Sequence, residues 1–71
     1  MELLAKDPAS GRNGCPSVHL DDNGDLVVLA PEVEPSTVAL MENVLPGEKA
    51  VRIRPEVMLA AMERYRARMA G

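Results

Sequence analysis

The sequence predicts an α+β fold, and three observations carry that expectation. Two strand-like stretches flank Asn23-Gly24, apolar residues recur at helical spacing after Pro35 and again after Pro55, and an alternating stretch, residues 50–54, lies between the two helical ones. The architecture that buries every apolar stripe is a three-stranded sheet, a β-hairpin plus one strand, with two helices packed on one face in the order ββαβα. Residues 17–71 form one small domain in this reading, and residues 1–16 form a flexible lead-in.

Breakers dominate the lead-in: Asp7-Pro8, Ser10-Gly11, Asn13-Gly14 and Cys15-Pro16. Order is expected from Ser17, where Val18 and Leu20 alternate with Ser17 and His19 at strand period. Asp21-Asp22-Asn23-Gly24-Asp25 then turns the chain, and Asn-Gly predicts a type I′ turn because both residues tolerate positive φ. The returning strand, Leu26-Val27-Val28-Leu29-Ala30, is rich in β-branched residues and stops at Pro31.

Pro35 is preorganised for a first helical position, and Val38, Met41, Val44 and Leu45 make one buried stripe of a helix that Leu45-Pro46-Gly47 ends. In Ala50-Val51-Arg52-Ile53-Arg54 the valine and isoleucine share one face and the arginines the other, which predicts a strand with one wet face. Pro55 opens a longer helix with Met58, Ala61, Met62, Tyr65 and Met69 on its apolar stripe. Glu56 near its start and Arg64, Arg66 and Arg68 near its end suit the helix dipole. Of the methionines, Met41, Met58 and Met62 are expected in the core and Met69 exposed as an anchor. The sequence shows no internal repeat.

Charge is divided by position. Residues 1–48 hold nine acids against Lys6 and Arg12, and residues 49–71 hold six bases against Glu56 and Glu63, so −7 is followed by +4 within the net −3. A split of this kind points to an interaction module more than to an enzyme. With one Tyr and neither Trp nor Phe, the core must come from smaller side chains. Domains of this size gain about 3 to 5 kcal/mol from a single core unless something is added. Cys15 is the only cysteine, so no intrachain disulfide adds to it, and self-association as a homodimer or docking on a partner is the expected supplement. No secretory leader is expected, since an acid stands at position 2 and only three apolar residues precede Lys6. The apolar run from Leu26 to Pro31 is far shorter than the ~20 residues that span a bilayer. A cytoplasmic location with no membrane contact follows as the expectation.

No motif supplies chemistry. Asp21-x-Asn23-x-Asp25 matches the first half of a calcium loop, but Leu26 and Pro31 stand where a glycine and a glutamate are needed, so a hairpin turn is the reading. Cys15 and His19 offer two soft ligands where structural zinc sites use four, so no metal or other cofactor is expected. The bland reading of the pair is a small buried thiol and a strand histidine. As a nucleophile Cys15 would have only His19 as base, four residues away on an extended strand, which makes no constellation. No catalytic residue is assigned.

Two surfaces remain. Asp21, Asp22 and Asp25 concentrate negative potential at the hairpin tip, and Tyr65 with Met69 forms an apolar anchor on the last helix, so these five are the candidate partner-binding residues. Arg52, Arg54, Arg64, Arg66 and Arg68 form a candidate nucleic-acid-binding patch. Against it stand the net negative charge and the absence of aromatic stacking platforms.

Lys6-Asp7-Pro8, Gly14-Cys15-Pro16-Ser17-Val18, Asp25-Leu26-Val27-Val28, Leu45-Pro46-Gly47-Glu48 and Ala50-Val51-Arg52-Ile53 together resemble a group of short acidic, functionally uncharacterised actinobacterial proteins encoded near helix-turn-helix regulators. The likeness runs from about residue 5 to residue 65 and its motifs are structural. It implies a regulatory accessory role and transfers no site residues. The functional expectation is a non-enzymatic accessory protein that binds another protein, a transcriptional regulator. The alternative is a small nucleic-acid-binding protein using the arginines.

Overall fold

The first strand of the sheet lies inside the stretch read as a flexible lead-in. The computed structural model of the chain describes residues 1–9 and 16–71, so the Ser10-Gly11 and Asn13-Gly14 breakers and Cys15 lie outside the described residues. The elements run β1 (Glu2–Lys6), β2 (Ser17–Leu20), β3 (Leu26–Leu29), α1 (Pro35–Val38) and α2 (Pro55–Ala70). The fold is α+β, with a three-stranded antiparallel sheet in the order β1-β2-β3 and two helices.

In β1 the register with β2 passes from Leu3↔His19 to Ala5↔Val18, so Leu4 is the extra residue of a β-bulge. The bulge turns Leu4 into the core, where it is buried with Val18, Leu20, Val57 and Ala61. It also breaks the period-two alternation by which a strand is read from sequence. Beyond Lys6 the Asp7 N–H donates to the Pro16 carbonyl at 2.8 Å, which carries the pairing one residue further.

β2 and β3 pair as the sequence predicts, from Ser17↔Leu29 to Leu20↔Leu26. The turn between them differs from the expected type I′. Gly24 alone has positive φ (+95°), its N–H donates to Asp21 O at 3.0 Å, and Asp21 N–H donates to Asp25 O at 2.8 Å. This is a three-residue loop with glycine in the left-handed position. The Asn23 side chain instead accepts the Asp25 N–H at 3.0 Å.

Three further expectations are corrected. α1 is one turn long and ends at Val38, and Asn43 takes a positive φ of 60°. Met41, Val44 and Leu45 are consequently exposed, not core, and Leu40 is 85% exposed. A single turn fixes several residues for few hydrogen bonds, and among the described residues α1 meets no other strand or helix that would reward its extension. Hence α2 alone covers the sheet, packing on β1 and β2, and the two helices do not share a face of it. An extended segment does lie between the helices, but residues 50–54 stay out of the sheet. They pair back on residues 31–33 through a single bridge, Glu32↔Val51, with Val33 N–H to Ala50 O at 3.0 Å and Arg52 N–H to Pro31 O at 2.9 Å. Pro31 has no N–H to return to Arg52, so the ladder cannot grow that way.

α2 forms as read: Pro55 at its start, Glu56 in its first turn, Arg68 in its last. Val57 and Ala61 are buried, with Met58, Met62 and Tyr65 packed around them. Val28 and Ile53 close the sides of this core. Because paired residues point to the same side, Leu3, His19 and Val27 form a row across the opposite face, which no helix among the described residues covers. No helix among the described residues is long and apolar enough to cross a membrane.

Candidate functional site

The hairpin tip and the end of α2, about 40 residues apart in sequence, meet at one cleft. Tyr65 and Met69 are one helical turn apart and so share a side of α2. Tyr65 lies half-buried against the core, while Met69 is exposed, as its position near the helix end predicts. Leu20 at the end of β2 carries the chain into Asp21 and Asp22, and these residues face the two helical ones across a cleft of about 450 Å³. Arg68 completes the lining and is hydrogen bonded through Nε to Glu2 Oε1, tying α2 to β1. The tip side is acidic, with the Met1 amino group on Asp22, and the helix side is apolar apart from Arg68, which Glu2 holds; this suits a partner side chain with an aliphatic stem and a cationic head.

Asp25, the third acid of the tip, does not line the cleft. It stands on the other limb of the turn, at the start of β3. Four of the five candidate partner-binding residues thus come together and the fifth marks the edge of the sheet. Asp22 Oδ1 also accepts a 3.0 Å hydrogen bond from the Met1 amino group.

The five arginines do not make one patch of available charge. Arg52 Nη2 pairs with Glu34 Oε1 at 2.9 Å, and Arg68 is held by Glu2. Arg54 grips Asp7 with two bonds, Nε to Oδ2 at 2.9 Å and Nη2 to Oδ1 at 2.7 Å, and reaches Glu56 at 3.0 Å. Only Arg64 and Arg66 are exposed bases of the five with no acidic partner among the described residues.

The Asp7 side chain is only 6% exposed, and its N–H···O bond from Ala9 at 2.9 Å adds to the Arg54 fork. Those bonds, Arg54's first and Ala9's second, hold its carboxyl below the usual range against the opposing effect of burial. Asp7 raises the affinity of Arg54 for its proton in return. Glu34 is lowered too, first by the Thr37 hydroxyl, then by its own backbone N–H, with Arg52 contributing. Sequence reasoning took Asp7 as a breaker and Arg54 as a surface base. No local signal links them, because the pair is made by tertiary packing.

His19 is half-buried in the row with Leu3 and Val27. Among the described residues no group of three or more His, Cys, Asp or Glu is arranged to hold a metal ion. A second cleft, about 610 Å³, lies where α1 faces residues 48–50, lined by Val33, Val38, Ala39 and Ala50 with Glu48 and Lys49 at its rim. The sequence reading did not find it; its one buried lining residue, Val33, sits between two acids in a proline-rich stretch.

No protein-family model matches this chain, and neither does any curated protein or solved structure.

Proposed function

We propose that this chain is a non-enzymatic accessory protein of the cytoplasm that acts by binding another protein, a transcriptional regulator, through the cleft between the hairpin tip and α2. The observation that carries the reading is the convergence of Asp21 and Asp22 with Tyr65 and Met69. Acidic side chains there steer a basic partner into place, and the half-buried ring and exposed thioether give it apolar surface to bury. The likeness to small actinobacterial proteins encoded beside helix-turn-helix regulators supports the choice of partner class. Homodimerisation belongs to the same proposal: Leu40, Met41 and Leu45 stand exposed on the loop after α1, and a core this small gains from covering them.

The test begins with affinity purification from the native cell, identification of what co-elutes, and reconstitution with the purified partner. Reversing Asp21, Asp22 and Asp25 to Lys should weaken that complex by more than tenfold at low salt, and Tyr65→Ala should raise its dissociation rate. A complex indifferent to both changes removes the cleft from the account.

A further inference from the structure

The two edges of the sheet are built differently. β1 carries Glu2, Lys6 and the bulge at Leu4, all features that discourage a further strand from pairing. β3 has none of these. Its four residues, Leu26, Val27, Val28 and Leu29, carry no charge and no proline, and Leu29 is 62% exposed.

The hydrogen-bond phase of β3 follows from the turn. Asp21 N–H donates to Asp25 O, and bonded pairs recur at every second residue of an antiparallel ladder. Val27 and Leu29 therefore bond inward to β2, while Leu26 and Val28 turn their N–H and C=O groups outward. No backbone group among the described residues outside the sheet bonds to them. The outer edge of β3 is thus a short template for one more strand, with the exposed Asp25 at its start.

A second copy of the chain is a poor occupant. Antiparallel self-pairing about Val27 would set the Asp25 carboxylate of one copy against the apolar Leu29 of the other at both ends, with no partner for the charge. Asp25 instead complements a basic strand end. We infer that the outer edge of β3 receives an extended segment of a protein partner, antiparallel to β3, with alternating apolar residues and Lys or Arg at its C-terminal end, where it meets Asp25. The antiparallel sense follows from the better geometry of that ladder and places the segment's C-terminus beside the tip. This inference deepens the protein-binding reading and rests on it, but uses the edge of the sheet and not the α2 cleft.

The probe is the peptide acetyl-Thr-Val-Thr-Val-Thr-Lys-Lys-amide, compared with the same composition carrying both lysines at its N-terminus and with a Glu-Glu ending. Amide exchange and chemical shifts of the full chain are followed by NMR. In the free protein the Leu26 and Val28 amides should exchange quickly and those of Val27 and Leu29 slowly. The first peptide should slow Leu26 and Val28 and bind at least about tenfold more tightly than either control. Val28→Pro removes an outward N–H without touching the β2 ladder and should abolish that protection. Asp25→Lys should transfer the preference to the Glu-Glu peptide, which keeps the test decisive if the proline variant folds poorly.

Overturning results are binding indifferent to lysine placement, peptide-induced shifts confined to Tyr65 and Met69, or protection of Val28 that grows with protein concentration alone and marks a second copy. With the reconstituted partner, shifts at Tyr65 and Met69 but none along β3 would sink this inference and leave the cleft reading standing. Shifts along β3 alone would do the reverse.

Discussion

Arg54 and Asp7, 47 positions apart, are joined by a two-pronged ion pair in which Asp7 is nearly enclosed and Arg54 is about half exposed. The pair fastens the end of β1 to the residue that precedes α2, and so fixes where the last helix starts against the sheet. Removing the cation takes the two-pronged ionic bond from a buried carboxylate, whereas removing an exposed partner uncovers nothing buried. Arg54→Ala should lower the urea midpoint clearly, Arg54→Lys should recover only part because it cannot present the fork, and Arg52→Ala should change it little. Equal effects of Arg54→Ala and Arg52→Ala would mean that burial of Asp7 is immaterial.

The same contact predicts a pH dependence. Asp7 is lowered in the folded chain, so folding is favoured wherever the carboxylate is ionised in both states. That contribution is whole above the ordinary aspartate value of about 3.9 and is lost as pH falls through the folded-state value. Urea midpoints measured from pH 7 down to pH 2 should fall below about pH 4, and Asp7→Asn should flatten that fall. Glu34, shifted the same way, leaves a smaller residual slope in the variant. An Asp7→Asn curve parallel to the parent's would contradict this.

Leu4 tests whether β1 belongs to the cooperative fold. It is buried in the central cluster, and truncation of such a residue to alanine costs about 2 to 5 kcal/mol. A domain of this size has about 3 to 5 kcal/mol from its core. Leu4→Ala should therefore be largely unfolded at 25 °C by circular dichroism, while Leu40→Ala, on a side chain almost wholly in water, should stay within about 0.5 kcal/mol of the parent. A well-folded Leu4→Ala protein would demote β1 to an appendage.

Gly24 carries the turn. At φ +95° any side chain is strained, although nothing lies within 4 Å of the position a Cβ would take. Gly24→Ala should cost about 1 to 3 kcal/mol from backbone strain alone, and Gly24→Asn less than Gly24→Val. Thermal melts of the three variants give the ranking.

Nucleic-acid binding has a measurable signature. If all five arginines met phosphate, the logarithmic salt slope with duplex DNA would be roughly −4.5; with Arg64 and Arg66 alone it would be roughly −1.8. Mobility shifts across a salt series should give at most the shallow slope. A steep one, lost on replacing Arg64, Arg66 and Arg68 with Ala, would promote the nucleic-acid reading.

Much of this fold was legible because its signals are local. The β2–β3 hairpin follows from alternation around a glycine turn, and α2 from its proline start, its stripe and its charged ends. The candidate cleft was legible in its parts, Asp21, Asp22, Tyr65 and Met69, while their meeting was not. β1 escaped because the bulge at Leu4 scrambles the alternation, and α1 was read too long because apolar spacing continues past Val38 with nothing for it to pack on.

Composition and order of residues by themselves determined an α+β class, one dependable hairpin, one dependable helix and a divided charge. Tertiary structure alone decided which strand completes the sheet, which arginines are spent on acids of the same chain, and which edge is left open. The physical reason is that period, punctuation and dipole act over a few neighbouring residues. Exclusion of water from Leu4 and Asp7 requires groups roughly fifty positions away, Val57 and Ala61 for the first and Arg54 for the second.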